Sequence, residues 1–284
     1  MNTQKKFPKT FSCEFFPPKT EKGVKNLRTS LAELAKLKPA YFSVTFGAGG
    51  STQEGTFDTV KEIQDKGYAA APHLSCIGST QANIRELLNQ YIDIGVKRIV
   101  ALRGDMPSGM RETGEFRYAN ELVEFIRSET GDHFHIEVAA YPEIHPQAAN
   151  AQQDLENFAR KVKAGANAAI TQYFYNSDAY FRFVDDCEKL GVDIPIIPGI
   201  MPITNHTNLK RFSDMCGAEI PRWIAKRLDG FADDRESIVA FGEDVVTELC
   251  RKLLDNGAPG LHFYSMNQAG PTQTLWNNLG LKAS

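Results

Sequence analysis

Long apolar runs are missing from this 284-residue chain: none approaches the roughly 18 residues that a membrane span needs. The first ten residues, MNTQKKFPKT, lack the apolar core of a signal peptide. A cytoplasmic protein is expected. Cysteine is scarce: Cys13, Cys76, Cys187, Cys216 and Cys250 are odd in number, far apart and without a C-x-x-C pair. That pattern excludes a disulfide framework and a cysteine-based zinc site, and it leaves reduced, mostly buried thiols. No excess of charge of one sign is present either. With a net charge of −3 and scattered Lys and Arg, there is no electrostatic footprint for nucleic acid. His and carboxylates nowhere adopt ligand spacing, so no metal is indicated, and neither a G-x-S-x-G elbow nor a P-loop occurs. Arg103-Gly104-Asp105 and the sequon Asn205-His206-Thr207 have meaning only outside the cell, and both lapse without secretion.

What is present is a repeating alternation. Eight apolar, β-rich runs begin at Thr10 (TFSCEFF), Tyr41 (YFSVTF), Ala70 (AAPHLSCI), Arg98 (RIVALRG), Phe134 (FHIEVAAYP), Ala168 (AAITQYFY), Ile194 (IPIIPGI) and Gly260 (GLHFYSM). Between them lie segments such as EKGVKNLRTSLAELAKL and AQQDLENFARKVKAGA, with apolar residues at helical spacing and Gly or Pro near their ends. Eight strands alternating with helices every 30 residues or so predict an α/β fold of the (β/α)8 TIM-barrel type. A doubly wound sheet would carry a glycine fingerprint after its first strand; CEFFPPKT stands there, and GAGGST at Gly47 only half matches. Residues 202–259 form a long insert before the last strand, which reads as extra helices rather than a second domain. One catalytic domain spanning 1–284 is expected.

A barrel places its active site at the C-terminal ends of its strands. Glu14, Thr45, His73, Arg103 with Asp105, Tyr141 with His145, Gln172 and Tyr264 occupy seven of those eight ends. Each has a plainer alternative. Glu14 pairs with a buried cation, His73 is a hydrogen-bonded core histidine, Asp105 caps a turn, Gln172 satisfies backbone groups, and Tyr264 is a core aromatic. Asp154, Asn157 and Lys161, with Arg160 beside them, share one helix face, which is either an ordinary solvated surface or part of a site. Glu14 poses the sharpest question, because an aromatic strand ending in Pro17-Pro18 is poor solvent for a carboxylate.

The blocks EFFPPK, SVTFGAGGST, APHLSC, IVALRGD, VAAYPEIHP, AITQYF, IIPGIMPI and HFYSMN, in order from about Phe11 to Leu279, resemble the methylenetetrahydrofolate reductase family in its bacterial single-domain form. The resemblance implies a barrel carrying FAD that reduces 5,10-methylenetetrahydrofolate to 5-methyltetrahydrofolate with NADH or NADPH, in a homo-oligomer. It assigns flavin binding to Thr45, Phe46, Ala48, His73, Arg103, Gly104, Asp105, Ala119, Tyr141, His145, Ala148, Asp154, Asn157, Arg160 and Lys161. Folate contact or catalysis falls on Glu14, Asp105, Gln172 and Tyr264. Where the family often has an arginine suited to the folate glutamate carboxylate, this chain has Gln268.

Opening the methylene bridge of the folate to an iminium requires a proton on the departing nitrogen, hence a general acid. Glu14 suits that role if desolvation raises its pKa. Asp105, ionised, would stabilise the cation and tune the flavin. Gln172 matches amide-like edges of a pterin or a nicotinamide. One site serving both substrates in turn implies ping-pong kinetics. The competing readings are a flavin-free barrel, an aldolase or transferase acting on a pterin, and a non-enzymatic binding module.

Overall fold

A computed structural model describes residues 1–46, 53–105 and 114–281. Its strands are β1 (Thr10–Phe15), β2 (Tyr41–Val44), β3 (Ala70–Ser75), β4 (Arg98–Leu102), β5 (His135–Ala140), β6 (Ala168–Thr171), β7 (Ile196–Ile197), β8 (Gly199–Ile200) and β9 (Gly260–Tyr264). All pairings are parallel, in the order β7-β6-β5-β4-β3-β2-β1-β9-β8. Only Pro198, which has no N–H to give a ladder, separates β7 from β8. Since β7 pairs with β6 and β8 with β9, the two pieces act as one interrupted stave. The sheet thus rolls into the expected eight-stave barrel.

Helices α1 (Glu21–Ala35), α2 (Gln53–Asp65), α3 (Gln81–Asp93), α4 (Ala119–Thr130), α5 (Ala151–Lys163) and α6 (Ser177–Lys189) follow the first six strands. The long insert supplies α7 (His206–Cys216), α8 (Arg222–Phe231) and α9 (Arg235–Asp255), and α10 (Ala269–Asn278) follows the last strand. Side-chain N-caps start several of them: Thr20, Thr80, Asn150, Asn176, Asn205 and Asp234 each accept a backbone N–H of the first turn. Among the described residues no helix is long and apolar enough to cross a membrane.

Period-two alternation divides the core. Phe11, Cys13 and Phe15 point outward into the large apolar layer beneath the helices. Inside the barrel, Tyr41, Ala71, Val100 and Ile170 form a separate, smaller cluster. Ser12 and Glu14 face that interior, and register sets their neighbours: Ser12 is opposite Tyr41 and His262, and Glu14 is opposite Ser43 and Tyr264.

Candidate active site

Glu14, next to last in its strand, lines the floor of a cavity of about 410 Å³ at the C-terminal end of the barrel, together with His73, Asp105, Gln172 and Tyr264. Five strand-end residues singled out from the sequence therefore meet in one place. Tyr141 and His145 line the same cavity. The far wall comes from the insert, through Phe212, Met215 and Cys216 of α7.

The carboxylate is only 14% exposed, and its Oε2 lies 3.2 Å from His73 Nε2 and 3.3 Å from His262 Nε2. The Ser43 hydroxyl donates to the same oxygen at 3.3 Å. His262 is fully buried, with Nδ1 2.7 Å from the Ser12 hydroxyl. His73 Nε2 approaches Glu14 closely but has no aligned hydrogen bond, so a buried ring nitrogen stays open for another partner. Burial pushes the Glu14 carboxyl upward, as expected, but the imidazoles of His73 and His262 outweigh it and bring the value down to about 2. This corrects the expectation of a raised pKa. The physical reason is the pair of histidines beside the carboxylate, which act through charge and hydrogen bonding.

Gln172 has its side-chain oxygen 3.0 Å from the N–H of Tyr173, leaving its amide donors for the cavity. The Tyr264 hydroxyl donates to the Thr171 carbonyl at 2.7 Å, which fixes the ring across the floor. A Cβ at Gly199 would lie 2.6 Å from that ring, so the stave requires glycine at this close approach.

A second cavity of about 500 Å³ adjoins the first and shares Tyr141, His145 and Gln147 with it. Arg103, Ala119, Ala148, Asp154, Asn157, Arg160 and Lys161, all among the residues expected to hold a flavin, line it together. Helix α5 begins at the strand-end rim because Asn150 caps it there, and this turns the Asp154, Asn157 and Lys161 face into the cavity. Asp154 accepts the N–H of His145 at 2.9 Å. Arg160 donates to Asn157 at 3.0 Å, and Arg103 bonds Gln147. Burial pushes the Lys161 amine down to about 8, partly offset by Asp154. Burial also lowers the His145 pKa, against the pull of Asp154. Tyr118, Ala119 and Asn120 bring the N-terminus of α4 to the same wall. Three cations and a helix N-terminus against one carboxylate suit an elongated anionic ligand.

Other calls fall elsewhere. Thr45 and Phe46 follow β2 and lie outside both described linings, although Thr45 Oγ1 is buried without a partner. Gly104 has a positive φ of 84° between Arg103 and Asp105, where it shapes the turn that carries both. Ala48 lies outside the described residues. Gln268 is the N-cap of α10, makes no side-chain cap bond and lines neither cavity. His262, Ser43, Gln147 and the α7 wall were missed from sequence. Only His262 had a usable signal, since it lies two residues before Tyr264 on the same strand face.

A family model described as methylenetetrahydrofolate reductase matches residues 2–280. A 5,10-methylenetetrahydrofolate reductase of Escherichia coli (strain K12) is 42% identical over 272 residues, covering 95% of this chain and 90% of that protein. The Methylenetetrahydrofolate reductase (NADH) 1 of Arabidopsis thaliana is 38% identical over 285 residues, covering 95% of this chain and 48% of that protein. Among solved structures, a Clostridium thermocellum protein described as binding two copies of 5-methyl-5,6,7,8-tetrahydrofolic acid superposes with a TM-score of 0.69 at 17% identity, covering 98% of this chain and 96% of that one. That likeness is one of fold.

Proposed function

The chain belongs to the methylenetetrahydrofolate reductase family, and from that premise we propose that it reduces 5,10-methylenetetrahydrofolate to 5-methyltetrahydrofolate, with FAD in the cationic cavity and NADH or NADPH as electron source. The observation that carries this reading is the junction of the cavities: a carboxylate with two imidazoles floors one, and cations with a helix N-terminus line the other. A diphosphate-bearing cofactor fits the second, because Lys161 is a half-buried amine that donates to the Ala139 carbonyl and has Asp154 as its counter-charge. Bound there, FAD supplies the hydride chemistry that links nicotinamide to folate.

The chain's own residues do the rest. Gln172, with amide donors free, orients a pterin or a nicotinamide edge. The cavity serves the two substrates in turn, which gives ping-pong kinetics. Glu14 delivers the proton that opens the methylene bridge. The imidazoles of His73 and His262 hold the Glu14 carboxyl low, so Glu14 must take up a proton before it acts as the acid. A bound pterin excludes water from the site and strengthens each interaction within it. Asp105, exposed at the rim of the first cavity, places negative charge where the iminium cation develops.

The test is anaerobic addition of NADH to the FAD-loaded protein, then of methylenetetrahydrofolate. The flavin absorbance should bleach and then recover. Colourless protein that FAD cannot reconstitute would favour the flavin-free aldolase or transferase.

A further inference from the structure

The two carboxylate oxygens of Glu14 have unequal surroundings. Glu14 lies opposite Ser43 on β2, and Ser12, two residues earlier on the same face, lies opposite His262 on β9, so the closed barrel brings a hydroxyl and an imidazole to one carboxylate. Both meet it at Oε2. The Ser43 hydroxyl donates to that oxygen at 3.3 Å, and His262 Nε2 stands 3.3 Å from it. His73 Nε2 is 3.2 Å from the same oxygen, without an aligned bond. Oε1 has no protein hydrogen bond among the described residues and is not enclosed, so it is the oxygen that meets the open cavity.

The donors to Oε2 are themselves fixed. Ser43 and His262 are fully buried. His262 Nδ1 is 2.7 Å from the Ser12 hydroxyl, and the ring stacks on Tyr41 at 6.3 Å between centroids and meets Tyr264 edge-on at 5.3 Å. The Tyr264 hydroxyl is engaged by the Thr171 carbonyl and makes no rival bond to Glu14. An ionised carboxylate only accepts, so His262 carries a hydrogen on Nε2. The single Ser43 hydrogen points to Glu14, so at 3.4 Å the Ser43 oxygen accepts from that same Nε2–H. Ser43, His262 and Oε2 thus close a triangle. Each carboxylate oxygen offers about two lone-pair sites, and two donors fill those of Oε2. A proton taken up by Glu14 therefore goes to Oε1.

We infer that Glu14 uses its two oxygens differently: Ser43 and His262 are positioning residues that hold Oε2, and Oε1 is the atom that carries the proton to the substrate nitrogen. The inference rests on the reading of Glu14 as the acid. In the step, the Oε1–H bond breaks as an N–H bond forms on the departing nitrogen, whose own electron pair takes the proton. The negative charge left on the carboxylate is met at Oε2 by donors already in place. Neither donor gives up its hydrogen. One proton from solvent returns to Oε1 after product leaves. Without Ser43 or His262, the carboxyl is free to turn about its terminal torsion, which has a broad two-fold well, and the loaded oxygen loses its set direction.

The experiment is a mutant cycle read by rapid mixing of pre-reduced protein with saturating methylenetetrahydrofolate. Ser43→Ala and His262→Leu each remove one donor, and flavin reoxidation should slow by about 10- to 100-fold in each, the scale of a misplaced reacting group. His262→Gln keeps an amide N–H near the place of Nε2 and should recover most of the rate; a loss equal to that of His262→Leu would overturn the donor role. In the Glu14→Gln background neither removal should slow reoxidation further, because both residues act through Glu14. Further slowing there would mark a general disturbance of the barrel and overturn the inference. Parent-like reoxidation in folded Ser43→Ala and His262→Leu would overturn it too. If one of the two does not fold, the other carries the same comparison. Parent-like reoxidation by Glu14→Gln alone is a separate failure: it overturns the acid reading itself, and the inference falls with it.

Discussion

Asp154, in the first turn of α5, accepts the backbone N–H of His145 at 2.9 Å and so ties the loop after β5 to the helix that follows it. The same carboxylate is the counter-charge of the half-buried Lys161 amine. Asp154→Ala or Lys161→Ala should therefore weaken FAD retention more than it alters the chemistry of molecules that keep the flavin. Each lost polar contact should cost roughly 1 to 3 kcal/mol, or about 5- to 150-fold in Kd. Equilibrium titration of apoprotein with FAD measures this, and parent-like affinity in both variants would remove the cradle assignment.

At Gly104, φ is +84° and a Cβ would stand 1.8 Å from the Ser75 hydroxyl. Gly104→Ala thus combines a left-handed conformation, about 1 to 2 kcal/mol for a residue with a Cβ, with a clash that the Ser75 side chain must relieve. The Ser75 hydroxyl would have to leave its 3.0 Å bond to the Arg103 carbonyl. Thermal unfolding of the variant should fall by several degrees, and its FAD affinity should drop because Arg103 moves with the turn. Full stability together with full affinity would show that the turn adapts.

Gln268 contributes no side-chain bond to the start of α10, so replacing it leaves the cap geometry intact. Gln268→Arg should tighten folate binding without changing reduction by NADH. A guanidinium offers a bidentate contact to the glutamate carboxylate, although a solvated pair yields about 1 kcal/mol or less. Calorimetric titration with a folate and with its analogue lacking the glutamate separates a tail contact from a general charge effect. Equal gains for both would place the tail elsewhere.

The barrel could be read from sequence because its determinants are local: strand-length apolar runs, helical spacing, caps, and polar residues at strand ends. That Asp154, Asn157 and Lys161 share a helix face was readable for the same reason, but spacing alone left that face as readily a solvated surface, because its turn into the cavity depends on Asn150 capping α5 at the rim. The ionisation of Glu14 was not readable. It depends on His73 and on His262, and His262 stands beside Glu14 only because β9 pairs with β1 when the barrel closes. The Phe212, Met215 and Cys216 wall was hidden likewise, since periodicity reveals that α7 is a helix but not the direction in which an insert packs.

The depressed Glu14 pKa has a consequence for acid stability. A carboxylate brought from 4.5 to about 2 on folding contributes stability that is present above pH 4.5 and lost as the pH falls through about 2. At about 1.4 kcal/mol per unit the contribution is at most about 3.5 kcal/mol. Urea unfolding of the parent and of Glu14→Gln between pH 5 and 2 should show the parent losing its advantage over that window. Parallel curves would mean that the histidines do not hold the carboxylate.

Glu14→Gln also bears on the reaction, as a near-isosteric change that keeps the side chain's shape and removes its transferable proton. The amide can still sit beside His73 and His262, so flavin binding and reduction by NADH should remain close to parent values; neither needs a proton from Glu14. The folate half should fail. General acid catalysis is worth about 100- to 10,000-fold, or roughly 3 to 5.5 kcal/mol of barrier, far more than imperfect packing at this position would cost. Rapid mixing of the pre-reduced variant with methylenetetrahydrofolate reads that half alone. Reoxidation at the parent rate would make Glu14 a carboxylate satisfied by its histidines, and the proton would have to come from another group in the cavity.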